Sequence, residues 1–255
     1  MIKFKAFFKK FKNPIFIFLG LLFIFFLWFI TSLLVNSTLY PGPIDTFVEL
    51  FALLGNGETY LAVLGTVGRM LIAFAISFFL GAIFGTLAGY YKWFHTFLKP
   101  LILILRTLPT AAAVLILVVL LKPAMTPIIV TCLVIFPIIY EAFVSGINNV
   151  EEPIIDSLKI DGGTGFKSYF KIYLPASASY IILAVVQSLG LGMKVSIMAE
   201  ILAPSERIAS LGRLINYEYQ LAEIKPILAY SIIAIVIISI IDIALHIIKK
   251  KLKIK

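Results

Sequence analysis

Arg69, Arg106, Lys194, Glu200 and Asp242 are ionisable side chains that lie inside long apolar stretches of the chain. A charge in hydrocarbon costs about 2.5 to 3.5 kcal/mol on insertion scales, so such residues pair with one another or face a water-filled cavity. The chemistry they suit is the holding and passing of a charged group. Their places along the stretches put Arg69, Lys194 and Glu200 towards one end and Arg106 and Asp242 towards the other, which predicts an Arg69–Glu200 pair and an Arg106–Asp242 pair. The five together carry an excess of one positive charge, a pointer to an anionic solute. Bond-breaking chemistry has less to draw on: Ser188 and His246 are the conceivable nucleophile and base, and they fall at opposite ends of their stretches, out of hydrogen-bond reach. Cys132 is the single cysteine and His95 and His246 the two histidines, so neither a disulfide nor a metal centre is expected. A G-x-x-x-x-G-K-[ST] phosphate loop is absent from the sequence.

The elements that must position these residues follow from composition. With 61% hydrophobic and 14% charged residues and a mean hydropathy of +1.07, the chain is far from a soluble domain, where about a quarter of residues are charged. The reading is an all-α, polytopic membrane protein. A spanning helix needs roughly 20 apolar residues, and six segments qualify, at 14–35, 60–91, 96–121, 126–148, 176–203 and 226–248. They form one membrane domain over 1–255, with no repeat or linker to divide it.

Basic residues orient the spans. The net charge of +9 would suggest nucleic acid in a soluble protein, but here the cations flank apolar spans and report topology instead. Lys3, Lys5, Lys9, Lys10 and Lys12 precede the first span, and Lys249, Lys250, Lys251, Lys253 and Lys255 follow the last. Both termini are therefore expected in the cytoplasm, as six spans require. Lys92, Lys99, Lys159, Lys167 and Lys171 fall in the loops then placed inside, against Lys122, Arg207, Arg213 and Lys225 outside. The first apolar stretch is too long for a signal-peptide core and has no clear small-residue cleavage site, so it reads as a retained span. Tyr40-Pro41-Gly42-Pro43 is a turn, and 44–54 has the apolar spacing of a short helix at the interface.

Packing is expected to centre on span two. Gly81, Gly85 and Gly89 recur at four-residue spacing and form an oblique ridge that lets a crossing helix approach closely. Pro109 and Pro137, inside spans three and four, free backbone carbonyls and mark kinks or pore-lining positions.

The polar segment 149–175 carries the other functional signal. Glu151-Glu152-Pro153 is a helix start, with acids at the positive end of the dipole and proline at the first helical position. That helix runs to about Asp161, Gly162-Gly163-Thr164-Gly165 breaks it, and a second short amphipathic segment leads from Phe166 to Leu174-Pro175. The result is a helical hairpin along the membrane presenting Leu158, Phe166 and Tyr169.

Asp156, Gly162 six places on, Ile172 ten further and Leu174-Pro175 resemble the cytoplasmic "EAA" loop of bacterial ABC-importer permeases, whose pattern is E-A-A, three residues, G, nine residues, I-x-L-P. The resemblance runs in order through the chain from Leu39 onward. Leu39-Tyr40-Pro41-Gly42-Pro43 is similar to the L-P-S-P segment of the nitrate/sulfonate/taurine branch, and Arg106-Thr107-Leu108-Pro109 to its R-P-I-P run. Pro137 and Gly146 fit the F-P…G approach to the loop, Ala199-Glu200 its A-E, and Ser210-Leu211-Gly212 its G-L-G. Three places depart from the pattern: Asp156-Ser157-Leu158 replaces E-A-A, Lys122-Pro123-Ala124 replaces a connection containing tryptophan and glycine, and Glu141 stands where asparagine is common.

The resemblance implies a permease subunit of a type I importer in the bacterial cytoplasmic membrane. It implies coupling to an ATPase dimer through Asp156, Ser157, Leu158, Gly162, Phe166, Tyr169, Ile172, Leu174 and Pro175. Further partners implied are a second permease copy, an extracytoplasmic solute-binding protein and membrane lipid, with no nucleic acid. No cofactor is expected in this chain, ATP and magnesium being bound by the ATPase, and the chain itself is not expected to be an enzyme. The rival class, a secondary carrier, should show inverted repeats and paired broken helices, and a purely structural membrane subunit is the other alternative.

Overall fold

The computed structural model describes residues 2–35, 40–150 and 173–251, and every regular element among them is a helix. In chain order these are α1 (Ile2–Val35), α2 (Pro43–Leu54), α3 (Gly57–Tyr90), α4 (Lys92–Thr107), α5 (Thr110–Leu120), α6 (Thr126–Asn148), α7 (Leu174–Leu202), α8 (Leu211–Gln220) and α9 (Ile224–Lys251). By length and composition α1, α3, α6, α7 and α9 can each cross a membrane, and α4 with α5 count as a sixth span if the bent pair is one broken span rather than a re-entrant loop. The short helix expected at 44–54 is α2, started by Pro43 after an extended Gly42. Asn56 starts α3, its side-chain oxygen accepting from the Glu58 N–H at 2.9 Å.

The third span departs from its expected course. In place of one helix over 96–121 the chain runs through α4, breaks, and continues as α5 at an angle of 99°. The cause is local. Leu108 precedes proline and is held extended at φ −63°, ψ 122°, and Pro109 lacks the N–H that would continue the ladder. Pro137, by contrast, lies inside a continuous α6 and is buried.

Close packing explains the core. α3 lies along α6 over the largest shared surface in the fold, and α6 in turn lies along α7. A Cβ placed on Gly81 would come 2.7 Å from Ile139 Cγ2, on Gly85 2.6 Å from the Tyr140 carbonyl oxygen, and on Gly89 2.8 Å from Ile147 Cδ1. The glycine ridge is thus the floor on which α6 rests. Two hydrogen bonds cross the same contact: Ser77 Oγ donates to the Cys132 carbonyl at 3.2 Å and Cys132 Sγ to the Ala73 carbonyl at 3.3 Å. Helices in lipid gain little hydrophobic free energy against one another, so this proximity is what holds them. Apolar side chains such as Phe79, Ile83, Leu115 and Val119 stay exposed on the outward faces, where the solvent is hydrocarbon.

Candidate functional site

At one end of the bundle a carboxylate on α7 is enclosed by donors from two other helices. Glu200, 1% exposed on α7, pairs with Arg69, 6% exposed on α3, at 2.7 Å. Thr66, one turn from Arg69, donates its hydroxyl to the other carboxylate oxygen at 2.8 Å and accepts the Leu211 N–H at 3.0 Å. The Gly212 N–H reaches the same Glu200 oxygen at 3.2 Å. Glycine at 212 is required by space, since a Cβ there would collide with Glu200 and lie 2.7 Å from the Ile201 nitrogen. Glu200 therefore ties the start of α8 to two spans. The pairing expected from depth is present, while Thr66, Gly212 and α8 itself were not expected.

Ser210 caps α8, accepting the Arg213 N–H at 3.2 Å. Replacing a cap of this kind by alanine costs about 1 kcal/mol. We expect Ser210→Ala to lower the thermal midpoint by a few degrees in a detergent melt, and an unchanged midpoint would remove the cap from the account. Nearby, Arg213 meets Glu58 of α3 at 2.6 Å, an exposed pair that contributes little. Glu218 on α8 is pushed above the usual carboxylate range, first by burial and then by the neighbouring charges of Glu223 and Glu49, so this rim of the molecule is acidic.

The second expected pair is not formed. Arg106 faces Glu141 of α6, at 3.5 Å and with side chains 60% and 36% exposed, rather than Asp242. Asp242 lies against α7, where a Cβ on Gly190 would sit 2.8 Å from its Oδ1. Height along a helix sets the level of a side chain, and the bend at Pro109 fixes the side it faces, which turns Arg106 to α6. Around this pair a cavity of about 380 Å³ opens between α4 and α6, lined among others by His95, Lys99, Arg106, Thr107, Tyr140 and Glu141. His95 Nδ1 and the Tyr140 hydroxyl share a hydrogen bond of 3.1 Å.

Lys194 is exposed on α7, and so is Gln187 two turns away on the same face. Lys194 borders an otherwise mainly apolar hollow of about 400 Å³ between α7, α8 and α9. Pro109 is exposed at the α4–α5 break. Ser188 is fully buried, with no hydrogen-bond partner among the described residues, a poor setting for a hydrolytic nucleophile. Among the described residues no group of three or more His, Cys, Asp and Glu side chains converges on a metal position.

Asp156, Ser157, Leu158, Gly162, Phe166, Tyr169 and Ile172 lie outside the described residues. The segment's exit lies within them. Leu174 is half-buried and Pro175 exposed in the first turn of α7. Tyr173 stacks edge-on against Tyr90 at the end of α3, with ring centroids 5.2 Å apart. Ser177 sits so close to Gly146 of α6 that a Cβ on that glycine would clash with it. The exit of the loop is thereby fixed to the ends of α3 and α6.

Residues 77–254 match the family of binding-protein-dependent transport system inner membrane components. A protein of Methanocaldococcus jannaschii named as an ABC transporter permease is 25% identical over 232 residues, 88% of this chain and 86% of that one. One of Bacillus subtilis strain 168, named as the aliphatic sulfonates transport permease SsuC, is 24% identical over 220 residues, covering 86% of this chain and 78% of that one. In fold, the chain superposes with a TM-score of 0.66 on a bacterial ABC transporter involved in import of the acidic polysaccharide alginate, at 16% identity over 96% of this chain and 99% of that one.

Proposed function

Since the chain belongs to the family of binding-protein-dependent transport system inner membrane components, the membrane permeases of ABC importers, we propose in detail how it serves one. It is a single membrane domain with six spans and both termini in the cytoplasm. It works as one of two identical permease copies around a shared path. A separate ATPase dimer, which binds ATP and magnesium, docks on segment 149–175 through Asp156, Gly162, Phe166 and their neighbours. An extracytoplasmic binding protein delivers a small solute of the nitrate, sulfonate or taurine type to the opposite face, where α8 and its acidic rim stand. The B. subtilis relative's name supports that solute class, as does the excess of cations within the spans.

One observation carries the coupling role: the ordered match of Asp156, Gly162, Ile172 and Leu174-Pro175 to the EAA spacing, inside the stretch 77–254 matched to the family. The anchored exit of the loop explains how motion there reaches the bundle. Tyr173 and Ser177 bind the start of α7 to α3 and α6, so a push on the loop moves all three helices.

The test is capture of an importer ATPase subunit, co-expressed from the same organism, by the detergent-solubilised chain. We expect two ATPase subunits per two permeases with the native loop and at least a tenfold loss with Gly162→Asp. No association with either form would overturn the coupling role given to segment 149–175.

A further inference from the structure

We propose that the cavity between α4 and α6 is an anion subsite on the solute's path, with Arg106 and Lys99 as the cationic contacts and Glu141 as the counter-ion displaced when an anion arrives. The inference rests on the permease reading and adds to it a place and a chemistry for the cargo. Four observations support it.

His95, Lys99 and Arg106 are spaced by four and seven residues, so they share one face of α4, and that face borders the cavity. Lys99 and Arg106 bring two positive charges and Glu141 one negative, which leaves the hollow cationic even with a neutral imidazole. Next, Arg106 is 60% exposed within a bent span. Hydrocarbon would penalise that guanidinium, so it stands in water or meets a solute. The backbone makes the same demand independently. Non-helical chain at membrane depth is tolerated where it is buried or lines a wet cavity, and Pro109 at the break is exposed. The pair itself is loose. At 3.5 Å and largely uncovered, Arg106–Glu141 contrasts with the enclosed 2.7 Å pair of Arg69 and Glu200. A planar guanidinium that gives up its single contact to Glu141 can take a sulfonate, carboxylate or phosphate in bidentate geometry. About 380 Å³ lies within the range of small-molecule sites.

A phospholipid headgroup presents similar oxygens, and the test separates the two sources. In a Cys132→Ala background, Thr107→Cys places a thiol at the cavity wall of the full-length chain in phosphatidylcholine nanodiscs. Its modification rate is measured with a sulfonate-bearing and a trimethylammonium-bearing methanethiosulfonate, and the ratio is normalised to that of the two reagents with free 2-mercaptoethanol in the same buffer. We expect a ratio at least about tenfold in favour of the sulfonate reagent, as charges at this range give outside bulk water. It should fall about tenfold in Lys99→Gln/Arg106→Gln, and methanesulfonate should slow the labelling. A ratio near one, or no labelling by either reagent, would overturn the proposal. Protection by added phosphatidylglycerol and none by methanesulfonate would give the site to lipid and overturn it too. The charge variants are interpretable only beside Thr107→Cys alone, which keeps every native charge and tests the proposal even if they fail to fold. Since the readout needs neither ATPase nor transport, its failure is distinguishable from failure of the coupling reading.

Discussion

Glu200→Ala should cost about 3 to 5 kcal/mol, because it leaves the Arg69 guanidinium buried without its counter-charge and frees the Thr66 hydroxyl and the Gly212 N–H of their acceptor. Arg69→Ala should cost a similar amount for the converse reason. The two losses should not add. Arg69→Met/Glu200→Met removes both charges, and in a membrane interior that exchange recovers much of what either single change forfeits. Heating each variant in detergent with a thiol-reactive dye reads this directly, since Cys132 is the chain's single thiol and lies in the α3–α6 contact. Additive losses across the cycle would mean that the pair is not the unit holding α8 to the bundle.

Gly85→Val should be as damaging for a different reason. The position has no room: a Cβ already meets the Tyr140 carbonyl oxygen at 2.6 Å and Phe143 Cβ at 2.8 Å, and neither backbone nor Cβ can swing aside as a side-chain tip can. Separating α3 from α6 gives up the dispersion contacts of the largest interface in the fold, so we expect a loss of about 3 kcal/mol or more and a collapse in the yield of monodisperse protein. Gly68 supplies the internal control. It lies in the same helix, a Cβ there meets nothing within 4 Å, and Gly68→Ala should stabilise by about 0.5 to 1 kcal/mol through helix propensity alone. If Gly85→Val and Gly68→Ala behave alike in the same melt, the ridge is not the close contact described here.

Much of this is legible in the sequence. Length and apolarity define long apolar helices, and those quantities are local, so five of them and the short α2 stand close to where the sequence puts them. The glycine ridge was readable as a contact, but its partner was not, because four-residue spacing says that something approaches and leaves open which helix it is. Arg69 and Glu200 found each other from depth because both lie near the same end and both face inward. Depth failed for Arg106. Its direction depends on the bend at Leu108-Pro109, and a proline in a span announces a kink without giving its angle. α8 was missed for want of length, though Ser210 three residues ahead of Arg213, before apolar Leu211, Leu214 and Ile215, is a cap signal a closer reading of the outer loop would have used. Most of the segment 149–175, where the strongest motif in the sequence predicts a helical hairpin, lies outside the described residues.

The span that carries Arg69 is made long before the one that carries Glu200. They are separated by 131 residues, and at roughly 5 to 20 residues per second the ribosome needs on the order of ten seconds to cover that distance. Through that interval α3 carries a guanidinium with no counter-ion, at a cost of up to about 2.5 to 3.5 kcal/mol, which the apolar side chains of so hydrophobic a helix outweigh. The Arg69–Glu200 pair closes only once α7 exists, so the end of the bundle that holds α8 is the last to be completed.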